Sequence, residues 1–203
     1  MTMFQSNFMN LIRKRNQFPN FFQRNFAQSM RERVQAIPTL PSLSKMEALV
    51  KNHSNLDFSN TYLVGVQHFL PSTASLFKHL IHLGFDPKKM FFIPKVYSTV
   101  PKAEKDIKAL GINVTKQTTW NNQESYENYT STAVQNQWQK FLRKSFTNVT
   151  NSKKPNIIIL DEGGRCHGSI PRKLTSTANI IGIEHTKQGL YRLDKHLRLF
   201  NTI

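Results

Sequence analysis

The chain has 203 residues, which is enough for one domain with a buried core and an additional arm. Lys and Arg number 28 against 12 Asp and Glu, and the resulting net charge of +16 favours anionic partners such as nucleic acid or acidic protein surfaces. The sequence has one cysteine, which excludes an internal disulfide, and no apolar run long enough to span a bilayer. We therefore expect a cytoplasmic protein.

Residues 1–35 differ in composition from the rest of the chain. The first 31 residues contain no acidic residue, and their basic residues are Arg13, Lys14, Arg15, Arg24 and Arg31. This composition is typical of organelle targeting segments and also of basic arms that dock onto a partner. The sequence leaves both interpretations open, so we describe residues 1–35 as a basic N-terminal arm or targeting segment.

From residue 36 onward, strand patterns alternate with helix patterns. Short apolar runs predict strands over residues 61–67, 90–96, 112–116, 156–160 and 178–184. Apolar residues at helical spacing predict helices that begin near Ser44, cover 71–83, 101–110 and about 128–146, and follow Gly189. This alternation predicts a Rossmann-like or flavodoxin-like three-layer α/β sandwich, formed by residues 36–203, with a mostly parallel sheet of about five or more strands.

Polar residues follow several of the predicted strands, and ligands of parallel sheets bind at the carboxyl ends of the strands. Two carboxylates beside two glycines, at residues 161–164, suit a sugar hydroxyl or an amine. His68 follows the first strand and can transfer a proton near neutral pH. We expect His68 and Glu162 as candidate catalytic residues, in a ligand-binding set of His68, Thr73, Ser98, Thr99, Asp161, Glu162, Glu184, His185 and Thr186.

The sequence predicts no metal site. His79 and His82 are predicted to be surface residues of a helix. The remaining potential ligands do not have the spacing of known metal sites, and they are Cys166, His167, His68 and His185. The sequence also has no P-loop, no Gly-rich dinucleotide loop and no Gly-x-Ser-x-Gly nucleophile turn.

Four segments, taken in order, resemble the substrate-binding half of S-adenosylhomocysteine hydrolase. They are GVQHFLPSTA at residues 65–74, KVYSTVP at 95–101, ILDEGGR at 159–165 and GIEHTKQG at 182–189. The corresponding family segments are similar to GCLHMTVETA, NIFSTQD, ILDDGGD and GISEETTTG. A fifth, shorter likeness lies upstream, where AIPTL at residues 36–40 is similar to the family's EMPGL.

The resemblance implies roles for individual residues. His68 corresponds to a histidine implicated in proton transfer, Thr186 to the first threonine of the last segment, and Glu162 to an aspartate beside the ribose and the reacting centre. Three further ligand contacts of the family are replaced, by Leu70, Ser72 and His185. Since each lost hydrogen bond costs about 1–3 kcal/mol, we expect the ordinary substrate affinity to be lost.

The resemblance also implies what this chain lacks. The family's reaction begins with oxidation of the ribose by NAD, and the NAD-binding half of the family would begin after this segment. The chain ends at Ile203, before such a domain. We therefore expect it to bind no cofactor alone, to use NAD only if a partner chain supplies the dinucleotide-binding domain, and not to act as an independent hydrolase.

Four interpretations of function remain open at this point. The first is a divergent, truncated protein that binds a nucleoside-like small ligand or a protein partner at the strand ends. The second is an enzyme of different chemistry that uses His68, Glu162 and His185 as acid and base groups. The third is a truncated gene product or a half enzyme that needs a separate NAD-domain chain; a homo-oligomer is the other assembly that the sequence leaves open. The fourth is a basic protein that binds nucleic acid or an acidic partner, although no nucleic-acid motif accompanies the charge.

Overall fold

The computed structural model describes residues 28–52, 56–115, 125–145 and 154–200. The chain divides into two compact units, Met1–Ala36 and Ile37–Ile203. The described part of the first unit contains a helix, α1, over residues 28–35. Most of the predicted basic arm, residues 1–27, therefore lies outside the described residues, and the prediction about it stays a prediction.

The second unit is an α/β sandwich built on one parallel sheet, which confirms the predicted fold class. Its strands are β1 (Thr61–Gln67), β2 (Met90–Pro94), β3 (Asn113–Val114), β4 (Asn156–Asp161) and β5 (Asn179–Glu184). Its helices are α2 (Pro41–Lys51), α3 (Pro71–His82), α4 (Pro101–Ala109), α5 (Tyr126–Ser145), α6 (Arg172–Thr177) and α7 (Lys187–Phe200). The five strands lie in the order β3-β2-β1-β4-β5, and each neighbouring pair is parallel.

Strand β1 lies at the centre of the sheet, between β2 and β4. Its Val64 aligns with Phe91 on one side and with Ile159 on the other. Both faces of the central strands are covered, and for this reason their sequences are apolar without alternation. Helices α5 and α6 pack against the face that carries Val64, with Trp138, Phe141 and Leu174 in the core.

Helices α3 and α4 cover the opposite face of the sheet. Phe77 and Ile107 are fully buried there against Phe92 and Leu63. Burying a side chain of this size contributes about 1.5–3 kcal/mol to the stability of the fold. The two cores together fix the positions at which the central strands end, and those ends position the candidate site.

Gly65 allows the two central strands to meet closely. A Cβ atom at this position would overlap the carbonyl oxygen of Leu160 on the neighbouring strand and crowd the ring of Phe92. The position is buried in the middle of β1, so neither neighbour has room to move. Only glycine therefore fits here, and it holds β1 against β4 near their carboxyl ends.

Strand β5 forms an edge of the sheet and is more exposed than the others. Within the described residues it pairs only with β4, and Ile181 and Ile183 are 57% and 43% exposed. Both side chains lie on the face that α3 and α4 cover elsewhere, because they align with Ile158 and Leu160. The sheet is thus enclosed at its centre and open at this edge.

Some local predictions were wrong. The pattern predicts a strand over residues 90–96 whose pairing ends near Pro94. Pairing does end at Pro94, which offers no N–H, but the strand stops there too, because Val96–Ser98 form a 3-10 turn. Strand β3 is only Asn113–Val114, and residue 116 lies outside the described residues. His79, predicted as a surface residue, is only 5% exposed because α2 packs against α3.

The sequence analysis did not predict helix α6.

None of the helices in the described part of the chain combines the length and the apolar character that a membrane span requires.

Candidate functional site at the carboxyl edge of the sheet

The candidate site lies where the direction of chain progression across the sheet reverses. From β1 the chain moves outward to β2 and β3, and it then returns to the other side of β1 to form β4 and β5. His68 follows β1 and Glu162 follows β4, so these two residues flank the reversal point. In open α/β sheets, the crevice at this point is the usual place for a ligand.

His68 is at the centre of a cluster that we call the rim site, formed by His68, Lys95, Tyr97, Ser98 and Glu162. The Nε2 atom of His68 lies 2.9 Å from Oε1 of Glu162. Its Nδ1 atom contacts the hydroxyl of Ser98. The structure thus brings together three of the predicted residues, from the ends of three different segments. Their role towards a ligand stays a prediction.

Lys95 adds a positive charge to the rim site. Its Nζ atom lies 3.4 Å from Nε2 of His68 and 3.9 Å from Oε1 of Glu162. Burial lowers the pKa of the His68 imidazole, Glu162 opposes this by raising it, and Lys95 lowers it again, so that the pKa lies below its ordinary value. The lowered pKa favours the neutral imidazole, in which Nε2 carries the proton facing Glu162 and Nδ1 can accept from the Ser98 hydroxyl.

Tyr97 provides an aromatic surface next to His68. The two rings lie edge to face with centroids 5.5 Å apart, and the ring of Tyr126 from α5 lies 5.1 Å from that of Tyr97, also edge to face. Tyr97 is nevertheless 59% exposed. Lys95 and Tyr97 belong to the KVYSTVP segment of the sequence, but the sequence analysis predicts no role for either residue. The available signal was their position directly after the second strand.

Thr73 and Thr99 support the loops of the rim site. Thr73 donates its hydroxyl to the carbonyl oxygen of His68 at 2.6 Å, and Thr99 donates to the carbonyl oxygen of Lys95 at 2.7 Å. The Lys95 amide in turn donates to Gln67 at 3.0 Å. Both hydroxyls are thus used within the protein, where they fix the backbone that carries His68 and Lys95.

Asp161 faces the interior, although Glu162 beside it faces the rim site. The side chain of Asp161 is fully buried, and it accepts backbone hydrogen bonds from Glu162 at 3.0 Å and from Cys166 at 2.7 Å. Burial alone would raise the pKa of Asp161, but its contacts with His167 outweigh burial and leave the pKa below its ordinary value. This carboxylate therefore shapes the loop after β4, and its role towards a ligand stays a prediction.

Glu184 also has a structural position. Its carboxylate accepts hydrogen bonds from the amides of Gly163 at 3.0 Å, Gly164 at 2.7 Å and Thr186 at 2.7 Å, and from the Thr186 hydroxyl at 2.7 Å. The same hydroxyl accepts from the amide of Gly189 and caps α7. His185, between them, is exposed and lies outside the rim site. Within the predicted set, His68, Ser98 and Glu162 thus belong to the rim site. Glu184 and Thr186 instead form a hydrogen-bond network with Gly163, Gly164 and Gly189, which we call the locking network.

A neighbouring cavity of about 320 Å³ lies beside the loop after β4. Arg165 and Arg192 line it and both pair with Glu127 of α5, the latter at 3.3 Å. Arg165 also lies over the ring of Tyr126 at 5.8 Å. Arg165 is thus held by α5, while Glu162 pairs with His68 and Lys95.

Comparison with known proteins gives few relatives. No family model matches the chain. It is similar to uncharacterised proteins from two strains of Mycobacterium tuberculosis, with 29% identity over 140 residues in each case. The match covers 68% of this chain and 27% of each relative, so the chain spans about a quarter of the length of these proteins.

Proposed function

We propose that the chain binds a nucleoside-like small ligand at the rim site, as a divergent relative of the adenosylhomocysteinase substrate-binding domain. One observation carries the proposal. The carboxylate of Glu162 and the imidazole of His68 meet at 2.9 Å, at the reversal point of the sheet, beside the exposed ring of Tyr97.

Each of these groups suits one part of a nucleoside. A carboxylate accepts hydrogen bonds from the neighbouring hydroxyls of a ribose, and Glu162 retains partial exposure, with 19% of its side chain open. An exposed aromatic ring can stack on a nucleobase, and Tyr97, which directly precedes Ser98 in the chain, provides such a ring. His68 and Lys95 each lie close to both Glu162 and the Tyr97 ring. The Lys95 ammonium can donate to a ligand, whereas the His68 ring has one donor and one acceptor nitrogen when neutral.

The motif resemblance supports the same proposal and limits the expected affinity. The segments that carry the resemblance include the ends of β1, β4 and β5, and the loop after β2. Leu70 and Ser72 stand where the family has polar ligand contacts, so a nucleoside finds fewer partners here. We expect dissociation constants in the high micromolar range.

A thermal-shift titration tests the proposal. The full chain is titrated with adenosine, S-adenosylhomocysteine, S-adenosylmethionine and NAD, and a true ligand raises Tm in proportion to the logarithm of its concentration. Binding of the best ligand is then measured by calorimetry for the Tyr97→Ala and Glu162→Gln variants. We expect each variant to weaken binding about tenfold, the equivalent of about 1.4 kcal/mol.

Tyr191→Ala is the matched control, because Tyr191 is as exposed as Tyr97, at 59% each, and lies on α7. It should bind the ligand as the unmodified chain does. The proposal fails if no nucleoside shifts Tm at millimolar concentration. It also fails if the two tyrosine variants bind equally well.

The contact between Ser98 and His68 favours a second candidate, an enzyme with an activated serine nucleophile. Ser98, His68 and Glu162 form a chain in which a hydroxyl contacts an imidazole that in turn contacts a carboxylate. A fluorophosphonate probe, which labels activated serines, tests this directly. Labelling of Ser98 that disappears in His68→Ala supports the enzyme, and an unlabelled chain removes it.

A further inference from the structure

A second cluster of polar side chains lies between α2 and α3, away from the carboxyl edge of the sheet. His79 and His82 are three residues apart on α3, so they share one side of that helix. Glu47 reaches them from α2, and its Oε2 atom lies 2.5 Å from Nδ1 of His79 and 3.7 Å from Nδ1 of His82. One ligand atom from each of the three residues falls within 4.8 Å of the others.

The cluster is closed on one side and open on the other. His79 is 5% exposed, Glu47 is partly buried and His82 is exposed. A cavity of about 290 Å³ adjoins the three side chains, and it is also lined by Thr39, Ser44, Ala48 and Lys51. The three side chains therefore form a set of ligands with space beside it for water.

We propose that Glu47, His79 and His82 bind a divalent transition metal, with Zn²⁺ as the preferred ion. Two imidazole nitrogens and one carboxylate oxygen are a common donor set for Zn²⁺ with an open fourth position, whereas Ca²⁺ and Mg²⁺ prefer oxygen donors alone. The cavity supplies the place for a water molecule in the fourth position. The site joins α2 to α3, so metal binding would tie these two helices together.

Lys51 competes with this site only in part. Its Nζ atom pairs with Oε1 of Glu47 at 2.5 Å, while Oε2 faces both histidines. A metal ion on Oε2 can therefore coexist with the lysine on the other oxygen. Coordination through Nδ1 places the proton of His79 on Nε2, and that atom has no hydrogen-bond partner within the described residues. We expect micromolar rather than nanomolar affinity for this reason.

A second group of potential ligands in the described residues is already occupied by the protein. Asp161, His167 and Glu184 also lie within 4.8 Å of one another. However, the Asp161 carboxylate already accepts hydrogen bonds from the backbone amides of Glu162 and Cys166. The Glu184 carboxylate likewise accepts three backbone amides and one hydroxyl. A metal ion there would have to displace several backbone donors. The Glu47 cluster is the better site because only side chains hold its oxygens.

The experiment uses the full chain after treatment with EDTA. Zn²⁺ is titrated by calorimetry, and Co²⁺ is added in parallel because its visible absorption reports the coordination geometry. We expect one Zn²⁺ per chain, an increase in Tm with Zn²⁺ concentration, and a Co²⁺ spectrum typical of four ligands. His82→Ala should weaken Zn²⁺ binding at least about tenfold and remove that spectrum.

His185→Ala is the matched control, since it also removes an exposed histidine but lies on the loop after β5. It should bind Zn²⁺ as the unmodified chain does. Because His82 is exposed, its replacement should leave the circular dichroism spectrum unchanged, which separates loss of the site from loss of the fold. The proposal is overturned if His82→Ala and His185→Ala bind Zn²⁺ equally, or if the unmodified chain does not bind it at submillimolar concentration.

Discussion

Replacing Glu184 by glutamine tests the locking network. The carboxylate of Glu184 accepts hydrogen bonds from Gly163, Gly164 and Thr186 and is enclosed on another side by Gly189, where a Cβ atom would collide with it. Glutamine has nearly the same shape. However, it replaces one accepting oxygen by an NH₂ group, which would face an N–H donor that it cannot bond.

The magnitude of this effect follows from the burial of the donors. Gly164 is buried, so its amide cannot turn to water, and an unpaired buried donor costs about 1–3 kcal/mol. Loss of the negative charge weakens the remaining hydrogen bonds, since bonds to a charged acceptor are about twice as strong as neutral ones. We expect Glu184→Gln to lower the free energy of unfolding by about 2–4 kcal/mol.

Urea denaturation followed by far-UV circular dichroism measures this difference, with a thermal scan alongside. For a unit of this size, each kcal/mol corresponds to about 2–4 °C in Tm, so we expect a decrease of about 5–15 °C. Glu127→Gln is the control, because Glu127 is exposed and its ion pairs with Arg165 and Arg192 contribute at most about 1 kcal/mol. Equal stability of the two variants would refute the reasoning.

Three further predictions concern the core and the rim site. Cys166 is fully buried and burial raises the pKa of its thiol, so we expect a thiol reagent to label it only after denaturation; rapid labelling of the folded chain would contradict its placement. Gly65→Ala should prevent folding or lower stability by more than about 3 kcal/mol, because the new methyl group overlaps Leu160, and a soluble variant with unchanged Tm would be the opposite result. Since Glu162 raises the pKa of His68, Glu162→Gln should lower that pKa further in an NMR titration, and an upward or absent shift would contradict the 2.9 Å contact.

The central strands could be predicted because burial on both faces leaves a clear mark in the sequence. Asn156–Asp161 is a nearly continuous apolar run, and the structure gives it the expected place beside β1. The carboxyl ends of such strands meet at one edge, so the meeting of His68, Ser98 and Glu162 followed from topology alone. No family resemblance was required for that part of the prediction.

The direction of individual side chains could not be predicted. Asp161 and Glu162 are adjacent acids after the same strand, yet one is enclosed by backbone amides and the other faces His68. Which of the two turns inward depends on the loop that follows, and composition does not encode that loop. His79 shows the same limit on a helix, because its burial depends on the docking of α2, which is distant in sequence.

The two edge strands of the sheet, β3 and β5, are unequal, so a further strand would pair more favourably at one edge than at the other. Strand β3 has two residues and offers few backbone groups to a further strand, whereas β5 has six residues with two isoleucines exposed on one face. An added strand would gain a longer ladder and more apolar contact at β5. Replacing Ile181 or Ile183 by a charged residue should therefore improve solubility at high protein concentration, whereas a charged residue placed near β3 should have little effect.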